Sequence, residues 1–185
     1  MEKTYTLKVA GLKRELPLFK VADNLYIAAF IMFGDVEMTK KCASELLKKA
    51  PEYDIIVTAE CKSLPLVYEM ARQSGDSNYI VCRKAPKVYM EDVITTQVNS
   101  ITTANMQSLC IGAQDVEAMK GKRVLIVDDV ISTGESLEAI EYLVKQAGGN
   151  IVGKMAVLAE GDAAQREDLI FLERLPLFNE DGSTK

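Results

Sequence analysis

The sequence predicts a single α/β domain with a mostly parallel central sheet flanked by helices, and three observations carry that prediction. Strand-like apolar runs alternate along the chain with helix-like amphipathic ones, the order that builds parallel sheets. Val124-Leu125-Ile126-Val127 is a continuous apolar run, which marks a strand covered on both faces. The 185 residues are 48% hydrophobic and 26% charged, enough for one ordinary core, and no repeat or linker divides them. One domain over 1–178 with a polar tail at 179–185 is the economical partition.

The elements follow in order. Alternation over Thr4 to Val9 predicts a short strand, and the Lys/Arg/Pro-containing stretch after it reads as a connection through Asp23. Leu25 to Phe33 is apolar and fits a strand or a buried segment. Asp35 suits the N-cap of a helix over Val36 to Lys49, whose basic last turn complements the helix dipole and which stops before Pro51. A strand over Asp54 to Ala59 leads through Glu60-Cys61-Lys62-Ser63 into a helix over Leu64 to Gln73, with Pro65 in the first turn where no N–H is needed. Asn78 to Arg83 is the next strand. Val93 to Ile111, rich in Thr, Val and Ile, reads as a two-stranded hairpin turning near Thr103-Ala104-Asn105. A short acidic helix, Asp115 to Met119, precedes the strand around Val124–Val127. Ser136 to Ala147 is an amphipathic helix closed by Gly148-Gly149, and Ile151 to Ala159 is a further strand.

Composition removes several chemistries. There is no histidine, so no Ser-His-Asp or Cys-His pair, no HExxH zinc site and no phosphohistidine can form. Catalysis must run on carboxylates, Lys/Arg, hydroxyls, backbone amides or a bound ion. Cys42, Cys61, Cys82 and Cys110 are scattered without a CxxC pair and read as reduced thiols of a cytoplasmic protein. A net charge of −5 argues against a phosphodiester-binding surface, hence against a nucleic-acid partner. The N-terminus lacks a signal-peptide h-region, and the uncharged Val93–Gln114 stretch is too rich in Thr, Ser, Asn and Gln to span a membrane.

The chemistry concentrates in Val124–Ser136, VLIVDDVISTGES. Ligands of an open parallel sheet bind at the carboxyl ends of its strands, where Asp128 and Asp129 fall. Ser132-Thr133-Gly134-Glu135-Ser136 then runs into a helix start, whose free N–H groups and dipole favour an anion. Acceptors beside donors suit a phosphorylated sugar. Each piece alone is ordinary, the acids as strand-end polar groups and a serine as an N-cap; the whole pattern is not. A receiver domain carries paired acids near its start, whereas more than 120 residues precede them here, and GxGxxG for a dinucleotide is absent.

This segment resembles the 5-phosphoribosyl-1-pyrophosphate (PRPP) motif of the type I phosphoribosyltransferases, and the chain from about Asp54 to Phe178 is most similar to their adenine-type members. The resemblance implies the type I fold, with a small N-terminal hood at about 1–34 and a flexible flap within Lys84–Ile111. It implies that Asp128 and Asp129 face the ribose hydroxyls with Mg²⁺ held nearby, mostly indirectly, and that Ser132, Thr133, Gly134, Glu135 and Ser136 cradle the 5′-phosphate. Lys62 and Ser63 match the pyrophosphate loop, with Lys62 where Arg is common, and Arg83, Lys84 and the nearby Lys87 match an Arg-Lys feature of the family. Glu160 and Arg166-Glu167 echo the adenine-type C-terminal pattern, with a structural role as the first assignment.

Departures are equally specific. Many relatives carry Gly at Glu135. Ser100-Ile101-Thr102-Thr103-Ala104 replaces the usual Tyr-x-x-Glu-Tyr-Gly signature, leaving Glu91 or Asp92 as the acid nearest the base. Leu25–Met32 is apolar where relatives have a charged pair, with Tyr26 and Ile27 as base-stacking candidates or core. The resemblance implies a homodimer that transfers the phosphoribosyl group of PRPP to a purine, adenine first, or to xanthine, hypoxanthine or guanine. The competing expectation is a PRPP-binding regulator without catalysis.

Overall fold

In the computed structural model, which describes residues 3–98 and 107–185, the chain opens with β1 (Thr4–Val9), β2 (Leu12–Ala22), β3 (Leu25–Ala28), α1 (Val36–Leu47) and β4 (Ile55–Ala59). It continues through α2 (Leu64–Ser74), β5 (Ile80–Cys82), β6 (Ile94–Val98), β7 (Gln107–Ile111) and α3 (Ala113–Met119). It ends with β8 (Arg123–Ile131), α4 (Glu135–Gln146), β9 (Asn150–Glu160), a 3-10 turn at Gly161–Gln165 and β10 (Ile170–Leu175). The central sheet has the order β10-β9-β8-β4-β5, and every neighbouring pair is parallel.

The apolar run in β8 has the expected cause. Leu125 and Val127 pack with Met38, Leu46 and Leu66 of α1 and α2, while Val124 and Ile126 pack with Leu137, Ile140, Leu143 and Val144 of α4. Successive side chains point to opposite faces, and both faces are covered. The crossovers then send the chain both ways: β4 passes through α2 to β5 on one side, β8 through α4 to β9 on the other. The strand order therefore reverses between β4 and β8, and the crevice at their carboxyl ends is where open α/β sheets place ligands.

Two elements differ from the sequence expectation. The stretch read as a connection before Asp23 is the eleven-residue strand β2, antiparallel to both β1 and β3 in a separate three-stranded sheet. Pro17 is tolerated because it lies where β2 changes partner: it is opposite Thr4 at the end of β1, and its carbonyl accepts from Ala29 N at 3.0 Å. β10 was not expected at all. It is an edge strand with Glu173 and Arg174 exposed, so it lacks the apolar alternation of a half-buried strand. α1 also ends at Leu47, so Lys48 and Lys49 fall just past the last turn. The hairpin is present as antiparallel β6 and β7, and its expected turn at 103–105 lies outside the described residues.

The small sheet is tied to the main one by Arg14, whose guanidinium meets the α1 N-cap Asp35 at 2.7 Å, and by Phe178, a buried residue paired by backbone to Tyr26. Residues 179–185 fold back on this strand end, with Lys185 N donating to Leu177 O at 2.8 Å.

Candidate active site

β8 carries Asp128 and Asp129 past the end of its pairing with β4, at the reversal point of the sheet. Asp129 is 3% exposed, and Asp128 keeps part of its surface toward solvent. Asp129 N donates to Asp128 Oδ1 at 2.9 Å. Burial first, and the Asp129 carboxylate second, push the Asp128 carboxyl up to about 8, although the Asp129 N–H and the Ser63 hydroxyl favour its charged form.

Lys62 and Ser63 arrive from the carboxyl end of β4. Lys62 Nζ lies 3.8 Å from Asp129 Oδ2, and the Ser63 hydroxyl is 2.7 Å from Thr58 Oγ1. The Glu60–Cys61 peptide before them is cis. β5 supplies Arg83 and Lys84. Glu60, which sequence reasoning passed over, holds both: its Oε2 accepts from Lys84 N at 3.1 Å and from Arg83 Nε at 3.3 Å. The Lys84 N–H, then the charges of Arg83 and Lys87, outweigh burial and hold the Glu60 carboxyl below its ordinary range. Arg83 also exchanges both backbone hydrogen bonds with Cys110 of β7, at 2.8 Å each, so the hairpin is anchored to this cationic corner.

The Ser132–Ser136 turn leads into α4. Ser132, Thr133 and Ser136 are exposed, and Gly134, the N-cap, sits at φ +87°. The sequence offered a serine as the cap; glycine takes it because the turn needs a left-handed residue there. Glu160, at the carboxyl end of β9, is buried beside the Ser132 hydroxyl. Its signal was the one used for Asp128, a carboxylate at a strand's carboxyl end. Two side-chain oxygens are buried without a hydrogen-bond partner among the described residues, Asp129 Oδ2 and Glu135 Oε2, and both lie in this cluster.

The structure thus brings together Lys62, Ser63, Asp128, Asp129 and the Ser132–Ser136 turn, with Arg83, Lys84 and Lys87 around Glu60. Glu91 is exposed, and its carbonyl accepts from Ala113 N at the start of α3. Tyr26 packs on the core beside Phe178, while Ile27 takes the other face of β3, outside both core clusters. Two clefts of about 380 Å³, one along Lys8–Lys13 and one around Asp54 and Gly75–Asn78, share no residue with this cluster.

Comparison with known proteins agrees with this geometry. The family model "Phosphoribosyl transferase domain" matches residues 37–174. The adenine phosphoribosyltransferase of Bifidobacterium longum is 36% identical over 149 residues, covering 78% of this chain and 74% of its own. The hypoxanthine/guanine phosphoribosyltransferase of Methanotorris igneus is 30% identical over 155 residues, 80% of each chain. The crystal structure of adenine phosphoribosyltransferase from Thermoanaerobacter pseudethanolicus superposes with a TM-score of 0.64 at 22% identity, covering 77% of this chain and 84% of that one, which supports the fold. With its strand-end carboxylates and hydroxyl turn inside the matched region, the chain belongs to the phosphoribosyltransferase family.

Proposed function

We propose that the protein transfers the phosphoribosyl group of PRPP to adenine, releasing pyrophosphate and forming AMP. The observation that carries this reading is the meeting of Asp129 and Lys62 at the sheet's reversal point, beside a hydroxyl turn on a helix N-terminus. The Ser132–Ser136 turn would take the 5′-phosphate through its N–H groups and hydroxyls. Asp128 and Asp129 would accept from the ribose hydroxyls and fix the anomeric carbon. Lys62, Arg83, Lys84 and Lys87 would hold the pyrophosphate as its bond to that carbon breaks and the base nitrogen bonds in its place. Positioning and charge do this work, so the absence of histidine is no obstacle. Tyr26, Ile27 and Glu91 stay as candidates for the base side of the cleft.

Magnesium fits the donor set in one manner only. No group of three acidic or sulfur donors occurs among the described residues, so the chain alone does not complete an ion's shell. Two adjacent carboxylates with a free buried oxygen suit an ion that arrives coordinated by PRPP and water. Bound there, Mg²⁺ would neutralise pyrophosphate charge.

A homodimer belongs to the same proposal. Ile31, Phe33 and Val36 are 59%, 51% and 69% exposed within six residues, an apolar stretch that a second copy would cover. So does a cytoplasmic location, in keeping with four free cysteines. Among the described residues no helix is long and apolar enough to cross a membrane.

The Methanotorris relative favours a second reading, a 6-oxopurine as acceptor. Purified protein with PRPP and Mg²⁺ should release pyrophosphate fastest with adenine in a panel that includes hypoxanthine, guanine and xanthine. A preference for hypoxanthine or guanine would replace adenine with the second reading. PRPP binding without turnover on any base would leave a PRPP-responsive regulator.

A further inference from the structure

Beyond β9 the chain makes one 3-10 turn, Gly161–Gln165, bracketed by two charged residues, Glu160 and Arg166. Glu160 reaches the Ser132–Ser136 turn from the end of the neighbouring strand, Arg166 from the far end of the 3-10 turn. β9 runs parallel to β8 with Leu158 opposite Val130 and Ala159 opposite Ile131, so the next residue, Glu160, comes level with Ser132. On the other side of the turn stands Arg166. A methyl group placed on Gly134 would lie 2.7 Å from Arg166 Nη1, too close unless the guanidinium shifts.

Arg166 is held in that position. Its Nε and Nη2 donate to Asp168 Oδ1 and Oδ2, each at 2.9 Å, a two-point contact that uses the planar fork of the guanidinium. Asp168 Oδ2 also takes Lys154 Nζ at 2.8 Å, and Lys154 Nζ reaches Glu141 Oε1 at 2.6 Å. Glu141 belongs to α4, the helix that the turn begins. The ion pairs therefore start on α4, cross β9 and return to the N-terminus of α4 through Arg166. Among the described residues only Nη1 is left over, and it faces Gly134. The turn carries Glu135, an added negative charge where an anion must bind, so a fixed cation against its glycine has more to offset here.

We propose that Arg166 is a positioning residue for the 5′-phosphate: locked by Asp168, its guanidinium packs on Gly134 and holds the Ser132–Ser136 turn with its N–H groups presented to the anion. This deepens the reading above and rests on that turn receiving the phosphate. Arg166 acts through Gly134 and through its field, and has no part in bond making.

Calorimetric titration with ribose 5-phosphate and, separately, with pyrophosphate tests it without requiring turnover or a base. Arg166→Ala should weaken ribose 5-phosphate about tenfold and leave pyrophosphate within twofold, because pyrophosphate is assigned to Lys62 and Arg83. Arg166→Lys should stay near the Ala value, since a lysine cannot make the two-point contact with Asp168. Asp168→Asn, which keeps the cation and loosens its hold, should weaken ribose 5-phosphate a few-fold. In turnover, Arg166→Ala should raise KM for PRPP more than it lowers kcat.

Unchanged ribose 5-phosphate affinity in folded Arg166→Ala, or equal loss for the two ligands, overturns the proposal. Should Arg166→Ala not fold, unchanged affinity in Asp168→Asn overturns it. Wild-type binding of ribose 5-phosphate with the predicted losses, but no turnover on any base, sustains this inference while the transferase reading fails.

Discussion

Lys62 Nζ stands 3.8 Å from Asp129 Oδ2 across the junction of β4 and β8. That carboxylate oxygen is buried and accepts no hydrogen bond, whereas the lysine is 55% exposed. Roughly nine in ten buried polar atoms in native proteins are bonded, so this orphan is the group that the ligand of the proposed reading would complete. Among the described residues a 3.8 Å ion pair is what holds this exposed lysine, so on the proposed reading it would turn to an incoming pyrophosphate.

Lys62→Met should therefore damage turnover far more than stability. An ion pair with one partner this exposed contributes at most about 1 kcal/mol, so the melting temperature should shift little. Loss of a cation on the leaving group should lower kcat about a hundredfold. Steady-state kinetics and scanning calorimetry on the same preparation check both. A large drop in melting temperature with normal kcat would assign Lys62 to the fold instead.

Asp128 gives a pH signature. Burial and the neighbouring Asp129 carboxylate hold its carboxyl well above the ordinary carboxylate range of about 3.9, so the folded state binds the extra proton and stability falls as pH rises above about 4. Asp128→Asn removes that cost. The variant should be more stable than wild type near pH 8, with the difference shrinking toward pH 5, and should lose most activity. Binding of PRPP with Mg²⁺ at pH 7 should release a proton from wild type and none from Asp128→Asn. Titrations in two buffers of different ionisation enthalpy measure it.

Gly134→Ala should disable the turn. An alanine must adopt φ +87° and put its methyl 2.7 Å from Arg166 Nη1. Ribose 5-phosphate affinity should fall at least about tenfold, with a stability loss of about 1–3 kcal/mol. Adding Arg166→Ala removes the clash but not the φ strain, so the double variant should stay weak in binding. Recovery to wild-type affinity would mean that the clash alone mattered, and would also overturn the positioning role of Arg166.

Glu60→Ala should loosen the cationic corner. Without its carboxylate, Arg83 Nε and the Lys84 N–H lose their common acceptor. Pyrophosphate should bind a few-fold more weakly while ribose 5-phosphate is unaffected, the converse of the Arg166 pattern. Inhibition by each compound reads this out.

The α/β class, the buried central strand and the paired acids with their hydroxyl turn were legible because each depends on local pattern. Val124–Val127 declares burial by composition, and Gly134 between hydroxyls declares a tight turn. β2 was missed because Lys13, Arg14, Glu15 and Pro17 interrupt the pattern of a strand that has only one face against the core. β10 was missed because an edge strand need not alternate.

The sequence by itself determined which residue types stand at the end of β8, since carboxylates, hydroxyls and a glycine in thirteen residues need no distant partner to be recognised. Only the tertiary structure decided what meets them. Lys62 faces Asp129 because β4 and β8 are neighbours across the reversal of strand order, Glu60 gathers Arg83 and Lys84 because β5 lies beside β4, and Arg166 covers Gly134 because β9 lies beside β8. Those adjacencies come from the side of the sheet to which each crossover returns the chain, a long-range packing outcome that residue spacing does not encode.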